Sequence, residues 1–368
     1  RSTQAKTLFP YTTLFRSGED NQTNGSPVDE TIVLPNLPET STFTPISTFP
    51  VAGYITFNKT RTLTSLSSDN KPTVSTVTEP VIRFVSRFNG YVYETLDGKT
   101  ATQISNVFIP NIYEALFSKN GSFALVRFLR DDGRTIATYS VPVPELNSDG
   151  TRTQIPGVYF PDEITAIAID PNREHIVFVQ KIESGVSIKD TTFDYKKQKE
   201  VLKHDFESWI PLLSTKQTYL QTKSSGFADG FLYTLGEKSS VLKKILGDAQ
   251  GLTASISPQG NFILYSESVR DGFVAKILSL KDGAITPLSI KVLPEKCVWL
   301  QNEDLICAKP TSIDVGVYPD IWYAGTTSFI DTFVKIYTKN GSYNPLLETP
   351  PFSFDATNLS VDESKNLL

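Results

Sequence analysis

The sequence predicts an all-β chain, a β-propeller of four-stranded blades, about seven with the last cut short, or six. Three observations carry that prediction. Short apolar or alternating runs follow one another with no helical period between them. Aromatic residues reach 11% of the chain, with Tyr 15 and Phe 23, and such residues suit a half-buried pleated surface better than a helix. One strand–turn–strand pattern also recurs at multiples of a period in the mid-forties, the repeat length of four-stranded propeller blades.

The first fifty residues stand apart. The string Thr7-Leu-Phe-Pro-Tyr-Thr-Thr-Leu-Phe-Arg-Ser17 resembles the direct translation of a short-read sequencing adapter, so residues 1–17 are expected to be a non-native leader. Methionine is absent, which points to a start upstream of Arg1. Residues 18–50 carry Pro, Thr, Ser, Asn and acids with few large apolar side chains. They cannot bury enough surface to offset the entropy of ordering and are expected to form a disordered linker. Residues 51–368 are expected to be the propeller, incomplete at its C-terminal end.

From Val51 onward the runs are strand-like. Val81-Ile-Arg-Phe-Val-Ser-Arg-Phe88 and Tyr91-Val-Tyr-Glu-Thr95 are separated by Asn and Gly. Phe117-Ser-Lys-Asn-Gly-Ser-Phe-Ala-Leu-Val126 matches Ile256-Ser-Pro-Gln-Gly-Asn-Phe-Ile-Leu-Tyr265, and Ile169-Asp-Pro-Asn-Arg-Glu-His-Ile-Val-Phe178 lies between them in the same frame. Ser or Asp opens each turn and can cap the backbone, while Gly or Asn takes a positive φ. Turn starts fall at 118, 170, 214, 257, 301 and 361. The blade at 51–105 lacks the clean turn, and residues 356–368 read as a strand, a turn and the opening of another strand. A blade cannot bury both faces alone, and stacking solves that.

Composition excludes some classes of function. A formal net charge of −5 gives no basic footprint for nucleic acid. No run approaches the roughly 20 apolar residues that cross a bilayer. No zinc-spaced Cys/His cluster, nucleophile elbow or calcium loop is found, and neither metal nor cofactor is expected. The only two histidines are His175 and His204. His204, Asp205 and Ser208 hold triad letters, but neighbours in one loop rarely converge on a substrate.

The run Ile256–Tyr265, followed by Gly272 and Leu278-Ser-Leu-Lys-Asp-Gly283, resembles the repeat of TolB-like, WD-type propellers. The segments Cys297-Val-Trp299, Cys307-Ala-Lys-Pro310 and Pro319-Asp-Ile-Trp-Tyr323 are also similar to bacterial envelope proteins that carry an anchor, a Pro/Thr-rich linker and such a propeller. The resemblance implies binding rather than catalysis and supplies no family active site. It suggests an extracytoplasmic chain, anchored through a missing N-terminus, whose partner is a protein or another envelope component. The chain would then be a non-catalytic binding or scaffold propeller of the cell envelope. The alternative is the propeller part of a larger enzyme, such as a gate for a peptidase. A cytoplasmic scaffold is the third reading.

Cys297 and Cys307 flank a turn. If the loop between them is odd they face each other across two strands, at a separation a disulfide accepts. If it holds four residues, they point to opposite faces and stay free. The resemblance favours the bridge. The best binding candidate is the connection at 311–331, which places Tyr318, Trp322, Tyr323 and Phe329 in one loop. Propeller topology puts Arg130, Asp131, Asp132, Arg270 and Asp271 on the same face, together with the connections 223–229, 145–159 and 204–209. Long loops on a rigid scaffold are where binding concentrates. The competing reading is a cap whose aromatics only cover an apolar surface.

Overall fold

The same local chemistry builds one turn after another. In the turn after β-strand residue Phe117, Gly121 N–H donates to Ser118 O at 2.8 Å and Phe123 N–H to Ser118 Oγ at 2.9 Å. Ser257 takes Gly260, Asn261 and Phe262 in the same way, and Asp170 takes Arg173, Glu174 and His175. A short oxygen-bearing side chain at the first position satisfies amides that the reversing backbone leaves open.

The structure, a computed structural model, describes residues 31–33, 45–66, 72–145, 152–153, 155–236, 241–347 and 353–361. The adapter-like leader lies outside the described residues. The chain divides into an N-terminal unit, Glu19–Ile164 with Thr191–Gln198, and a C-terminal unit, Thr165–Asp190 with Lys199–Leu368.

Two sheets make the N-terminal unit. The first contains β1 (Thr31–Val33), β2 (Val51–Leu66), β3 (Pro72–Ser86), β4 (Val92–Thr95) and β5 (Thr100–Gln103), in the order β1-β5-β4-β3-β2. The second runs β6 (Ile112–Phe117), β7 (Phe123–Leu129), β8 (Ile136–Pro142), β9 (Val158–Tyr159) in sequence order. Their core gathers Ile55, Val85, Val92, Phe117, Val126 and Val141. A Cβ on Gly53 would lie 1.8 Å from Ala115 O, so only glycine lets β2 and β6 approach this closely.

Four more sheets follow, each in sequence order. The third has β10 (Ile164–Ile169), β11 (His175–Lys181), β12 (Val186–Thr192) and β13 (Lys199–His204). The fourth has β14 (Trp209–Leu213), β15 (Thr218–Thr222), β16 (Asp229–Leu235) and β17 (Leu242–Gln250). The fifth has β18 (Thr253–Ile256), β19 (Phe262–Val269), β20 (Gly272–Ser279) and β21 (Ile285–Pro287). The sixth has β22 (Cys297–Trp299), β23 (Leu305–Pro310), β24 (Asp331–Ile336) and β25 (Tyr343–Leu347). The described residues thus form an all-β propeller of six blades, not seven. No helix among them is long and apolar enough to cross a membrane.

Two further expectations are corrected, one at the C-terminal end and one at 145–159. Residues 353–361 form no strand and instead lie against the sixth sheet, where Phe354 O accepts from Asp331 N–H at 3.2 Å. Residues 362–368 lie outside the described part. Within the expected linker 18–50, Thr31–Val33 pairs antiparallel with β5, and Ile46 and Phe49 pack on Phe84 and Tyr93. The short stretch of apolar residues there is enough to cover a blade edge.

The first blade has no short turn because its first hairpin is an arm. β4 meets β3 only at Ile82–Val85, whereas β2 and β3 stay paired from Asn58↔Pro80 out to Leu66↔Pro72. β-branched residues recur at every second position, Thr60, Thr62 and Thr64 on one strand and Val74, Thr76 and Thr78 on the other, and such residues favour extended backbone. The other correction concerns 145–159. The two-residue β9 at Val158–Tyr159 pairs with β8, so this connection joins the third and fourth strands of one blade rather than two blades. It therefore emerges at the end of the sheet where the Ser118 turn lies.

Candidate binding face

The connection 311–330 between β23 and β24 is closed at its neck. Thr311 N–H and Oγ1–H both donate to Ile330 O, at 2.8 and 2.9 Å. A short helix, α1 (Asp320–Tyr323), carries the carboxylate that ties the loop to its neighbours. Asp320 accepts from Ser225 Oγ at 2.8 Å and from Gly226 N–H at 2.6 Å, which fastens it to the fourth blade. A backbone bridge between Val317 and Gly272 fastens it to the fifth.

The four aromatic candidates separate into two layers. Tyr318 and Phe329 are not surface residues, being 1% and 3% exposed. Their rings stack at 5.9 Å and pack on Phe273, with Leu293 completing the cluster. Both belong to the packed layer of the loop, because β20 presents Phe273 beneath them. Trp322 is half-buried and lies against Phe329, and its Nε1–H donates to Asp355 Oδ2 at 2.9 Å. Tyr323 is 38% exposed as a residue, while its hydroxyl end turns inward and donates to Glu295. Arg270 and Asp271 are exposed in the β19–β20 turn, where Asp271 O accepts from Lys291 Nζ at 2.9 Å.

Arg130 and Asp132 belong to the N-terminal unit. Arg130 pairs with Asp162 at 2.7 Å, both exposed. Asp132 accepts from the Thr135 hydroxyl and from the Thr135 and Arg134 amides, which hold its carboxyl down at about 2. It is a turn-forming residue. Of the two histidines, His204 accepts at Nδ1 from Phe206 N–H at 2.9 Å, and His175 is exposed beside Asp190.

Beneath the loop lies a buried charge cluster that sequence reasoning missed. Lys296 and Asp331 are both fully buried and 2.7 Å apart. Lys296 also donates to Asp355 and, at 2.9 Å, to Ala356 O, and its ammonium faces the rings of Phe329 and Trp322. Asp355 additionally accepts from Phe329 N–H, and Asp331 Oδ2 from Ala356 N–H at 2.7 Å. One lysine and two aspartates thus clip residues 354–356 to the loop. Burial raises the Asp331 carboxyl above its usual range despite Lys296 beside it.

The neighbouring pair, Glu295 and Tyr323, is shifted in one direction. Burial raises both groups, Tyr323 well above 10, and the facing carboxylate adds to that rise. A phenol whose folded pKa is raised contributes stability that is complete below pH 10 and is lost as the pH climbs past it. Alkaline titration is expected to lower the thermal midpoint of the protein above pH 10, and less so in Tyr323→Phe. Tyr113 and Tyr265, both pushed up to about 12 by burial, add a fall of the same sign that the variant keeps. Equal falls in parent and variant would contradict the assignment.

Cys297 follows Lys296 in sequence and stands directly opposite Cys307 across an odd loop, residues 300–304. The two sulfurs are joined at 2.05 Å, with Cα atoms 4.1 Å apart. Besides the expected Tyr323, Arg270 and Asp271, the loop face presents Val315, 84% exposed, and Phe227, 77% exposed, to solvent. Among the described residues no group of three or more His, Cys, Asp or Glu is placed to hold a metal ion.

One five-stranded sheet and five four-stranded sheets, with one elaborated loop cluster, define a β-propeller. No protein-family model and no curated protein matches the sequence. Solved structures with a similar fold include TolB from Acinetobacter baumannii, 12% identical over 72% of this chain and 58% of that one, with a TM-score of 0.43. An oligogalacturonate lyase in complex with manganese is 11% identical over 85% of this chain and 88% of that one, at a TM-score of 0.49. A puromycin-hydrolyzing peptidase of Mycobacterium tuberculosis is 12% identical over 86% and 57%, at 0.46. The chain therefore spans a little under three fifths of the TolB and peptidase chains. These likenesses are of fold.

Proposed function

We propose that this chain is a non-catalytic binding propeller of the bacterial cell envelope, recognising a protein partner through the loop cluster 223–229, 270–271 and 311–330 of its C-terminal unit. The observation that carries this reading is the buttressing of the 311–330 loop. It is held from below by Lys296, Asp331 and Asp355 and from the sides by Asp320 and Val317, yet it leaves Val315 exposed, and the Phe227 loop tied to it leaves Phe227 exposed. A rigid loop that still shows large apolar side chains is suited to lose little entropy on binding. The Cys297–Cys307 bridge suits an oxidising compartment.

The test is capture from envelope extract with parent and variant baits. Phe227→Ser, Val315→Ser and Arg270→Ala are expected to lose a captured protein by about tenfold or more. Lys119→Ala and Gln259→Ala, in the short turns at the other ends of their sheets, are expected to keep it. The reverse pattern would place recognition on those turns instead.

A further inference from the structure

The arm that replaces the first turn also walls a cleft of about 960 Å³ within the N-terminal unit. β2 lines it with Lys59 and Thr60, β4 and β5 with Glu94 and Thr102, and the second blade with Asn120 and Glu145. Arg83 is fully buried behind two of the lining carboxylates, Glu94 and Glu145, and stands directly opposite Glu94 in register. Its Nε–H donates to Glu94 at 2.6 Å, one Nη–H to Gly121 O at 3.0 Å, and the other Nη–H to Glu145. Lys59 Nζ reaches Glu94 at 3.1 Å and Glu145 at 2.6 Å.

The two carboxylates are not equivalent. Glu94 is fixed by its place on a central strand and is largely shielded. Glu145 stands in the connection after β8, 51% exposed, and each of its oxygens is held by one of the two cations. Desolvation would raise its carboxyl, but the hydrogen bonds from Lys59 and Arg83 outweigh that and keep it low. A buried guanidinium and a lysine thus converge on one anionic position that opens to a cleft. Arg and Lys together are suited to carboxylate or phosphate oxygens. The hydroxyls of Thr60 and Thr102 and the amide of Asn120 supply donors and acceptors around it, and the volume lies within the range of small-molecule sites.

We infer that this cleft binds a small anionic, hydroxyl-rich ligand, a sugar acid or a sugar phosphate, whose acidic group competes with Glu145 for Lys59 and Arg83. This site uses other residues, in the other unit, and does not depend on the loop face above.

Calorimetric titration of the whole chain with glucuronate, glucose 6-phosphate, glucose and inorganic phosphate tests it. Saturable binding of one of the two acids and none of glucose is expected, and which acid binds separates carboxylate from phosphate. Glu145→Ala, which removes the competitor, is expected to tighten that binding about tenfold, and Lys59→Ala to weaken it by at least about tenfold. Thr102→Val, at a half-buried position with no part in the ion network, should weaken it as well. Circular dichroism shows whether each variant is folded. Absence of binding to both parent and Glu145→Ala, binding unchanged in Lys59→Ala, or inorganic phosphate binding as tightly as the sugars would each overturn the inference.

Discussion

Replacing Lys296 with alanine is expected to lower the stability of the C-terminal unit by about 3–5 kcal/mol, the range for removing one partner of a buried ion pair. The ammonium is fully buried between Asp331 and Asp355, and Asp331 is itself fully buried with one carboxylate oxygen lacking a partner among the described residues. Without Lys296, two carboxylates would share one dry site with nothing to balance them. The double variant Lys296→Met with Asp331→Leu is expected to recover much of the loss, because apolar groups of similar volume often replace a buried pair at little cost. Urea unfolding followed by tryptophan fluorescence reads both, since Trp322 lies over the lysine. A midpoint unchanged in Lys296→Ala would show that the cluster is solvated in solution.

The second large effect concerns the bridge. Cys297→Ala with Cys307→Ala is expected to lower stability by about 2–3 kcal/mol, the loop-closure value for a sequence separation of 10. Cys307 is fully buried in the sixth blade beside Leu305 and Val334, so alanine also leaves a small cavity. Reductant should bring the parent's midpoint toward that of the double variant and leave the variant unmoved. A reductant-insensitive parent would mean that the cysteines are free in the folded protein.

Much of the fold could be read from the chain because its turns are made locally. Ser118, Asp170, Ser214 and Ser257 each cap a turn with their own side chain, and each joins the first and second strands of a blade where its spacing put it. The misreadings occurred where local chemistry is silent. A two-residue strand such as Val158–Tyr159 has no period to detect, and its absence moved the 145–159 connection to the wrong end of its sheet. The arm of β2 and β3 alternates like any hairpin, so only its unpaired length distinguishes it from part of a blade.

The candidate site was legible as a loop but not as a set of layers. Tyr318 and Phe329 look equal to Trp322 and Tyr323 in sequence; Phe273, far away in the fifth blade, decides that the first two are core. Lys296 and Asp355 are 59 positions apart, and no spacing rule joins them. Phe227 and Val315 escaped notice because exposure is a property of the folded loop. The cleft at Lys59, Arg83 and Glu145 was hidden for the same reason, since it is assembled from two blades.

The most direct test of the binding-face assignment is site-specific photo-crosslinking in bacteria that carry the chain in their envelope. A photoreactive residue placed at Phe227 or Val315 is expected to give one discrete protein adduct, while the same residue at Lys119 or Gln259 gives none. Adducts that arise only from Lys119 or Gln259, or the absence of an adduct at Phe227 and Val315, would contradict it.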